Sequence, residues 1–470
     1  VDAGGAVTPL PEPTREPALD ALRGLAVLGM VLSGHIAFGT GASGDPAGVL
    51  PAWMYHAQLP PPSHKYQPLL AGLTWVDLVF PMFLFALGVA IPLALGRLAD
   101  EPRNAQGRPW TGTLAVAMVA LRRGVLLLFV AIFFQHLKPA HVATTTLAPF
   151  AQPLALLALL ALALLCAAKR WPWRLAGLLL ALALLAALRT PGGDAAFSLK
   201  RSDIILVVLA NMALVGTLLW WWTRQLPLWR WALLLPLAFV LYGAKAPESV
   251  NAWLLQASPL PWAANVAFFK YLVIVLPGSW LGERLREAAS GGRAVRMAGW
   301  VGMAAAVPVV LALYGLQTRH VAATLLVCGS LAALLAWREA ELRPAAGLLI
   351  CGLLLEPLEG GIRKDGLNLS YVLVTAALAW FALHALRAMR EWPLGAAVLR
   401  GLCSSGRNAV LAYVLAAWAV LPLLHLVGLH GAWSGLNGNP FEAVLRGLLV
   451  TAAVAGLVAL ANRRGWVLKL

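Results

Sequence analysis

Apolar runs of about twenty residues recur along almost the whole chain, separated by short stretches rich in Arg, Pro and Trp. A run of that length, wound as a helix, crosses the roughly 30 Å hydrocarbon core of a bilayer. The pattern predicts apolar segments near 20–39, 74–96, 112–137, 147–168, 173–188, 203–222, 228–244, 262–283, 295–314, 320–337, 344–356, 369–386, 408–428 and 441–461. Short ones such as 344–356 can be re-entrant or merge with a neighbour, which leaves eleven to fourteen spans. The fold class is therefore all-α, a polytopic integral membrane helix bundle.

One run departs from the pattern. In Gly72-Leu73-Thr74-Trp75-Val76-Asp77-Leu78-Val79-Phe80-Pro81 a carboxylate sits at the mouth of a segment that carries no charge as far as Leu95. A carboxylate there is costly, and such residues mark sites. The preceding loop, residues 40–73, is long and rich in Pro and aromatic residues, and it holds His56 and His64. Loops of that length are more often lids or binding surfaces than idle connections. Histidine is the usual general base near neutral pH, and Trp53 and Tyr66 offer aromatic faces suited to a sugar ring. A solvated, inert loop is the bland alternative.

Composition agrees with the class and excludes others. The chain is 60% hydrophobic and 12% charged, with mean hydropathy +0.77. Twenty Trp, among them Trp171, Trp173, Trp220, Trp221 and Trp222, fit interfacial belts. The net charge of +16 suggests nucleic acid at first sight. If the N-terminus is cytoplasmic, however, most Lys and Arg fall on the cytoplasmic side, so the charge reads as topology. The four cysteines, Cys166, Cys328, Cys351 and Cys403, have no metal-ligand spacing and read as small buried side chains. Residues 1–17 are polar and Pro-rich and read as a cytoplasmic tail, with 18–470 as one membrane domain.

Polar residues within or beside the spans form two sets. Asp20 and Arg23 lie three apart on one helical face and can pair at the start of the first span. His35 stands deep in that span, Lys270 inside a later one, and Asn211 and Asn265 where they can bond neighbouring helices. Lys364 and Asp365 fall on the loop side shared with the histidines, where they can shape an acceptor entrance.

Leu19-Asp20-Ala21-Leu22-Arg23-Gly24-Leu25-Ala26-Val27, together with Gly72-Leu73-Thr74 and Asp77-Leu78-Val79-Phe80-Pro81, resembles the heparan-α-glucosaminide N-acetyltransferase family, in particular its bacterial NagX-like branch within the transmembrane acyltransferases. Gly361-Ile362-Arg363-Lys364-Asp365, Gly406-Arg407-Asn408-Ala409 with Tyr413, and Arg123 in Leu121-Arg122-Arg123-Gly124, matched to an arginine opening the third span, extend the likeness over most of the chain. The resemblance implies acetyl transfer across a bacterial-type inner membrane. Acetyl-CoA is used from the cytoplasm, and a glucosamine-type acceptor stands on the other face. It also implies a catalytic histidine in a His-Ala pair of the first non-cytoplasmic loop, which here is His56-Ala57. A Pro-rich insertion near 59–69 separates that pair from Gly72, so a gapless count falls on Gln67, near His64. Gln152-Pro153 stands where the family often has Gln-Arg.

The chemistry follows from the residues as well. Acetyl transfer from a thioester needs a base for the acceptor's proton, with His56 or His64 in that role and Asp77 orienting it; an acetyl-histidine route is the alternative. Arg23, Arg122, Arg123 and Arg407 supply cations for the CoA phosphates, and Asn408 a polar contact. Asp20, Trp53, Tyr66 and Lys364 complete the substrate set. No metal and no nucleic acid are called for, and a homodimer is compatible with the chain. The rival class is a membrane transporter of an amino sugar, although the halves of the chain carry no evident repeat.

Overall fold

The computed structural model describes residues 16–36, 50–60, 65–100, 110–258, 260–290, 299–364, 366 and 368–468. His64, Asp365, residues 1–15 of the tail and residues 40–49 of the long loop lie outside the described residues.

Each predicted apolar run becomes a helix. In chain order these are α1 (Pro17–His35), α2 (Trp75–Asp100), α3 (Trp110–His136), α4 (Ala151–Ala167), α5 (Trp171–Ala187), α6 (Ile204–Thr223), α7 (Leu228–Gly243), α8 (Leu272–Ser290), α9 (Gly299–Gln317), α10 (Val321–Arg338), α11 (Arg343–Leu355) and α12 (Leu369–Ala388). They are followed by α13 (Pro393–Arg407), α14 (Ala409–Leu426) and α15 (Pro440–Arg463). Among the described residues eleven helices are long and apolar enough to cross a membrane. Three more, α5, α7 and α11, are shorter; α11, at 13 residues, rises only about 20 Å. The chain is an all-α integral membrane bundle.

α13 is a helix that a search for spans passes over. Its buried face (Gly395, Leu399, Cys403, Gly406) packs on α1, while Leu394 and Val398 face outward. Taking the end where α2 begins as the upper one, α1 begins at the lower end, and α13 lies against its lower part.

Small residues set how closely the helices approach. Gly24 of α1 abuts the Leu402 carbonyl of α13, and Gly406 abuts the Asp20 carbonyl in return. Without water between helices to drive association, such close backbone contact is a main source of packing energy. Gly24→Val is expected to force the two helices apart and destabilise the fold by about 1–3 kcal/mol, read as a lowered unfolding midpoint in detergent.

α12 is the central helix, with 89% of its apolar window buried. Its fully buried Trp380 lies 5.6 Å from the Phe85 ring of α2 and 5.9 Å from the Trp280 ring of α8. Beside it is a buried charge pair: Arg230 of α7 meets Glu283 of α8, donates from Nε to Thr223 Oγ1 (3.0 Å), and donates from Nη1 to the Ser279 carbonyl (3.3 Å). Asn211 bonds a neighbouring segment as its position suggests, donating to the Ala263 carbonyl at 2.8 Å, while Asn265 instead caps the 3-10 turn Val266–Tyr271. Lys270, in that turn, reaches the Gly366 carbonyl at 2.7 Å. Cys351 departs from the expected burial and faces outward on α11; the other three cysteines are buried.

The upper start of α12 is tied down by Glu359. Its carboxylate accepts from Lys245 Nζ (2.7 Å), the Leu369 amide (3.0 Å) and the Ser370 amide (2.7 Å). Burial pushes this carboxyl up, but Lys245, Ser370 and Leu369 together outweigh burial and hold it below the usual carboxylate range. Because the folded value lies below the unfolded one, the stabilisation is complete above the unfolded pKa and disappears as pH falls through the folded one. Lys245→Met is expected to move that acid loss of stability to higher pH, measured as the unfolding midpoint against pH.

Candidate functional site

The first turn of α2 is built around Asp77. Thr74 and Asp77 form a capping box with Asp in place of the usual Glu: Asp77 Oδ2 reaches back to the Thr74 amide (3.1 Å), as the first turn of a helix requires. Thr74 Oγ1 lies between that oxygen (3.0 Å) and the Tyr55 carbonyl (2.8 Å), with one proton to share. The Ala57 amide also donates to Oδ2 at 3.1 Å, so the loop is pinned to the helix through one carboxylate. Asp77 is 1% exposed.

His56 completes the cluster. Its Nε2 lies 3.1 Å from Asp77 Oδ1, an ion-pair contact short of a linear hydrogen bond, and the ring is 16% exposed. The Gln58 amide donates to Nδ1 at 3.2 Å, which makes Nδ1 the acceptor and assigns the ring proton to Nε2, facing the carboxylate. The basic atom of His56 is therefore Nδ1. Tyr55, in the same loop, is 2% exposed, and burial pushes its phenol up, so it stays protonated near neutral pH.

The Pro-rich insertion does not carry His56 away from Gly72, because the loop closes on itself. The Gln67 amide donates to the Gln58 carbonyl (2.9 Å), and Gln58 Nε2 donates to the Pro68 carbonyl (3.2 Å). The chain thus returns to Gly72, whose amide bonds the Ile362 carbonyl (2.9 Å). Gln67 serves in that closure. Among the described residues the histidine joined to Asp77 is His56; His64 lies outside them.

Pro81 ties this turn to a second helix. Lacking an N–H, it leaves the Asp77 carbonyl, four residues back, without a helical partner. Tyr371 of α12 fills the gap, its hydroxyl donating to that carbonyl at 2.9 Å. Trp53 and Tyr66, 56% and 51% exposed, stand on the same loop, and Lys364 is half-buried in the turn that follows Gly361.

A second cluster occupies the lower part of α1. Arg23 Nη1 pairs with Asp20 Oδ1 (3.2 Å), and Arg407 Nε lies 3.8 Å from Asp20 Oδ2. These three, with Glu16, Ala90, Ala94 and Asn462, border a cavity of about 540 Å³ between α1, α2, α13 and α15. Asp20 thus belongs with the cations, away from Trp53 and Tyr66. Arg123 is within electrostatic reach of Arg23, whereas Arg122 is exposed and within reach of Cys166 on α4. Both arginines lie in the middle of α3, which begins at Trp110, so neither opens the third span. Asn408 sits at the break between α13 and α14 with its side chain engaged: Nδ2 donates to the Trp466 carbonyl (2.8 Å) and Asn462 Oδ1 (3.3 Å), and the Leu468 amide donates to Oδ1 (3.1 Å). It anchors the C-terminal segment. His35 is the last residue of α1, not deep within it, and its Nδ1 lies 2.7 Å from the Val31 carbonyl one turn back.

Some contributors carry a sequence signal and others do not. Thr74 can be read from Thr-x-x-Asp before an apolar run. Gln58, Glu16 and Asn462 cannot, because only the fold brings them to these places.

The apolar helices make this molecule a polytopic membrane protein, and it carries two separate polar sites along α2: a His–Asp pair at the upper end and an arginine-lined cavity at the lower end. The sequence model of a domain of unknown function, DUF5009, matches residues 15–285, more than half of the chain, and the chain belongs to that family. No curated protein matches it.

Proposed function

We propose that this protein is a transmembrane acetyltransferase of the heparan-α-glucosaminide N-acetyltransferase type. It moves an acetyl group from acetyl-CoA to the amine of a glucosamine-type sugar. The observation that carries the reading is the His56–Asp77 pair: an imidazole with Nε2 against a buried carboxylate and with Nδ1, the acceptor of the Gln58 amide, toward the loop. The excess of Lys and Arg supports an orientation with the N-terminus and the lower cavity on the cytoplasmic side of a bacterial-type inner membrane.

In this mechanism the acceptor nitrogen attacks the thioester carbonyl carbon. Its proton passes to His56 Nδ1, which gives up the Gln58 amide, and Asp77 stabilises the imidazolium. The C–S bond then breaks and CoA leaves as thiol, taking back the proton. Arg23 and Arg407, with Arg123 nearby, hold the CoA phosphates at the lower cavity. From Ala90, at the cavity, to Asp77 the rise along α2 is about 20 Å, so the acetyl-bearing arm of CoA runs up the bundle to meet the sugar.

The test is release of free CoA thiol by purified protein in detergent, with and without glucosamine, with the acetylated sugar identified by mass. Sugar-dependent release is the expected outcome. Folded protein that neither binds nor consumes acetyl-CoA, yet moves the sugar into proteoliposomes, overturns this reading in favour of a transporter.

A further inference from the structure

The upper site has a wall that the proposed mechanism leaves unused. α9 packs against the 3-10 turn Ala52–Met54 of the His56 loop, and a tight turn follows it. Arg319, in that turn, adopts φ 64°, a left-handed conformation that costs a non-glycine residue on the order of 1 kcal/mol. Its guanidinium donates to the Ala71 carbonyl, holding the residue just before Gly72. Gly72 has φ 150°, and a Cβ there would lie 3.4 Å from Ala57 Cβ and 3.5 Å from Gln317 Oε1. The absent side chain of Gly72 thus leaves Gln317 Oε1 facing the residue next to His56.

Gln317 Oε1 is shut off from solvent and meets no donor among the described residues. A buried acceptor without a donor is destabilising, and where one persists beside a site it points to a ligand that supplies the donor. The Arg319 bond to the Ala71 carbonyl holds the chain beside that acceptor in place.

We infer that Gln317 is a positioning residue for the acceptor: its Oε1 accepts a hydrogen bond from the acceptor's amine N–H, turning the nitrogen lone pair toward the thioester. This rests on the acetyltransferase reading for the acceptor's chemistry. The lower cavity has no part in it.

The experiment compares wild type, Gln317→Leu and Gln317→Glu for equilibrium binding of glucosamine without acetyl-CoA, for acetyl-CoA binding, and for the unfolding midpoint. Gln317→Leu should weaken glucosamine binding about tenfold or more and leave acetyl-CoA binding within about twofold. Its midpoint should not fall, because the removed oxygen has no protein partner to lose. Gln317→Glu keeps an acceptor and should restore binding. Unchanged glucosamine affinity in Gln317→Leu overturns the assignment. So does a lowered midpoint with both affinities falling together, the mark of a merely structural residue. Wild type that binds acetyl-CoA but not glucosamine also overturns it and leaves acetyl transfer to some other acceptor standing. Wild type that binds glucosamine without transferring acetyl sinks the enzymatic reading alone, and the three affinities still judge Gln317.

Discussion

His56→Ala is expected to lower sugar-dependent CoA release by about 10²–10⁴-fold while leaving acetyl-CoA binding in place, the range a positioned general base contributes. The side chain is 16% exposed, and the three hydrogen bonds that pin the loop to the helix run through Asp77 Oδ2 and not through the imidazole, so its removal is expected to leave the fold largely untouched. Asp77→Asn should behave differently. Oδ2 accepts from the Ala57 amide, the Thr74 amide and the Thr74 hydroxyl, so a neutral amide there weakens the loop–helix junction as well as the histidine's partner. Stability and turnover should fall together in that variant, whereas His56→Ala separates them. Turnover that survives in His56→Ala, with the fold intact, would move the base elsewhere.

The largest expected effect on stability comes from the middle of the bundle. Arg230→Met should destabilise the protein by about 3–5 kcal/mol, because Glu283 then keeps its charge in the interior without the guanidinium it is paired with. Arg230 is 1% exposed and Glu283 4%, so neither relaxes to solvent. The double variant Arg230→Met with Glu283→Leu removes both charges and should regain most of that loss. Unfolding midpoints in detergent decide it: a single variant as stable as wild type would mean that Glu283 takes up a proton at no detectable cost.

Length and hydropathy are enough to place the spans, since the bilayer demands apolar helices of a given rise. Asp77 is legible for the same reason: a carboxylate at the mouth of an uncharged run is too costly to stand there idle. That Asp77 meets a loop histidine can be expected from the sequence, but the choice of His56 over His64 cannot, because it depends on the Gln67 amide meeting the Gln58 carbonyl, a backbone contact that leaves no residue-type signature. Arg122 and Arg123 fall in the middle of the apolar run 112–137, and it is the family likeness, not hydropathy, that puts an arginine at the opening of the third span; α3 continues well beyond them on both sides. Asn408 has the sequence of a helix start, and it does precede α14, yet its amide is spent on Trp466, Asn462 and Leu468. α13 does not stand out in the sequence because its apolar face is half a helix wide, too little for a span and suited to lying along α1.

The bond from Tyr371 to the Asp77 carbonyl has a mechanical consequence. Where Pro81 interrupts the ladder of α2, the turn bearing Asp77 is fastened to a phenol of α12 in place of a backbone amide of its own helix. The position of that turn therefore rests in part on α12. At its other end α12 carries Arg387, 3.8 Å from Glu16, which borders the lower cavity. One helix thus touches both sites, holding the turn of the histidine's partner at one end and meeting the rim of the lower cavity at the other.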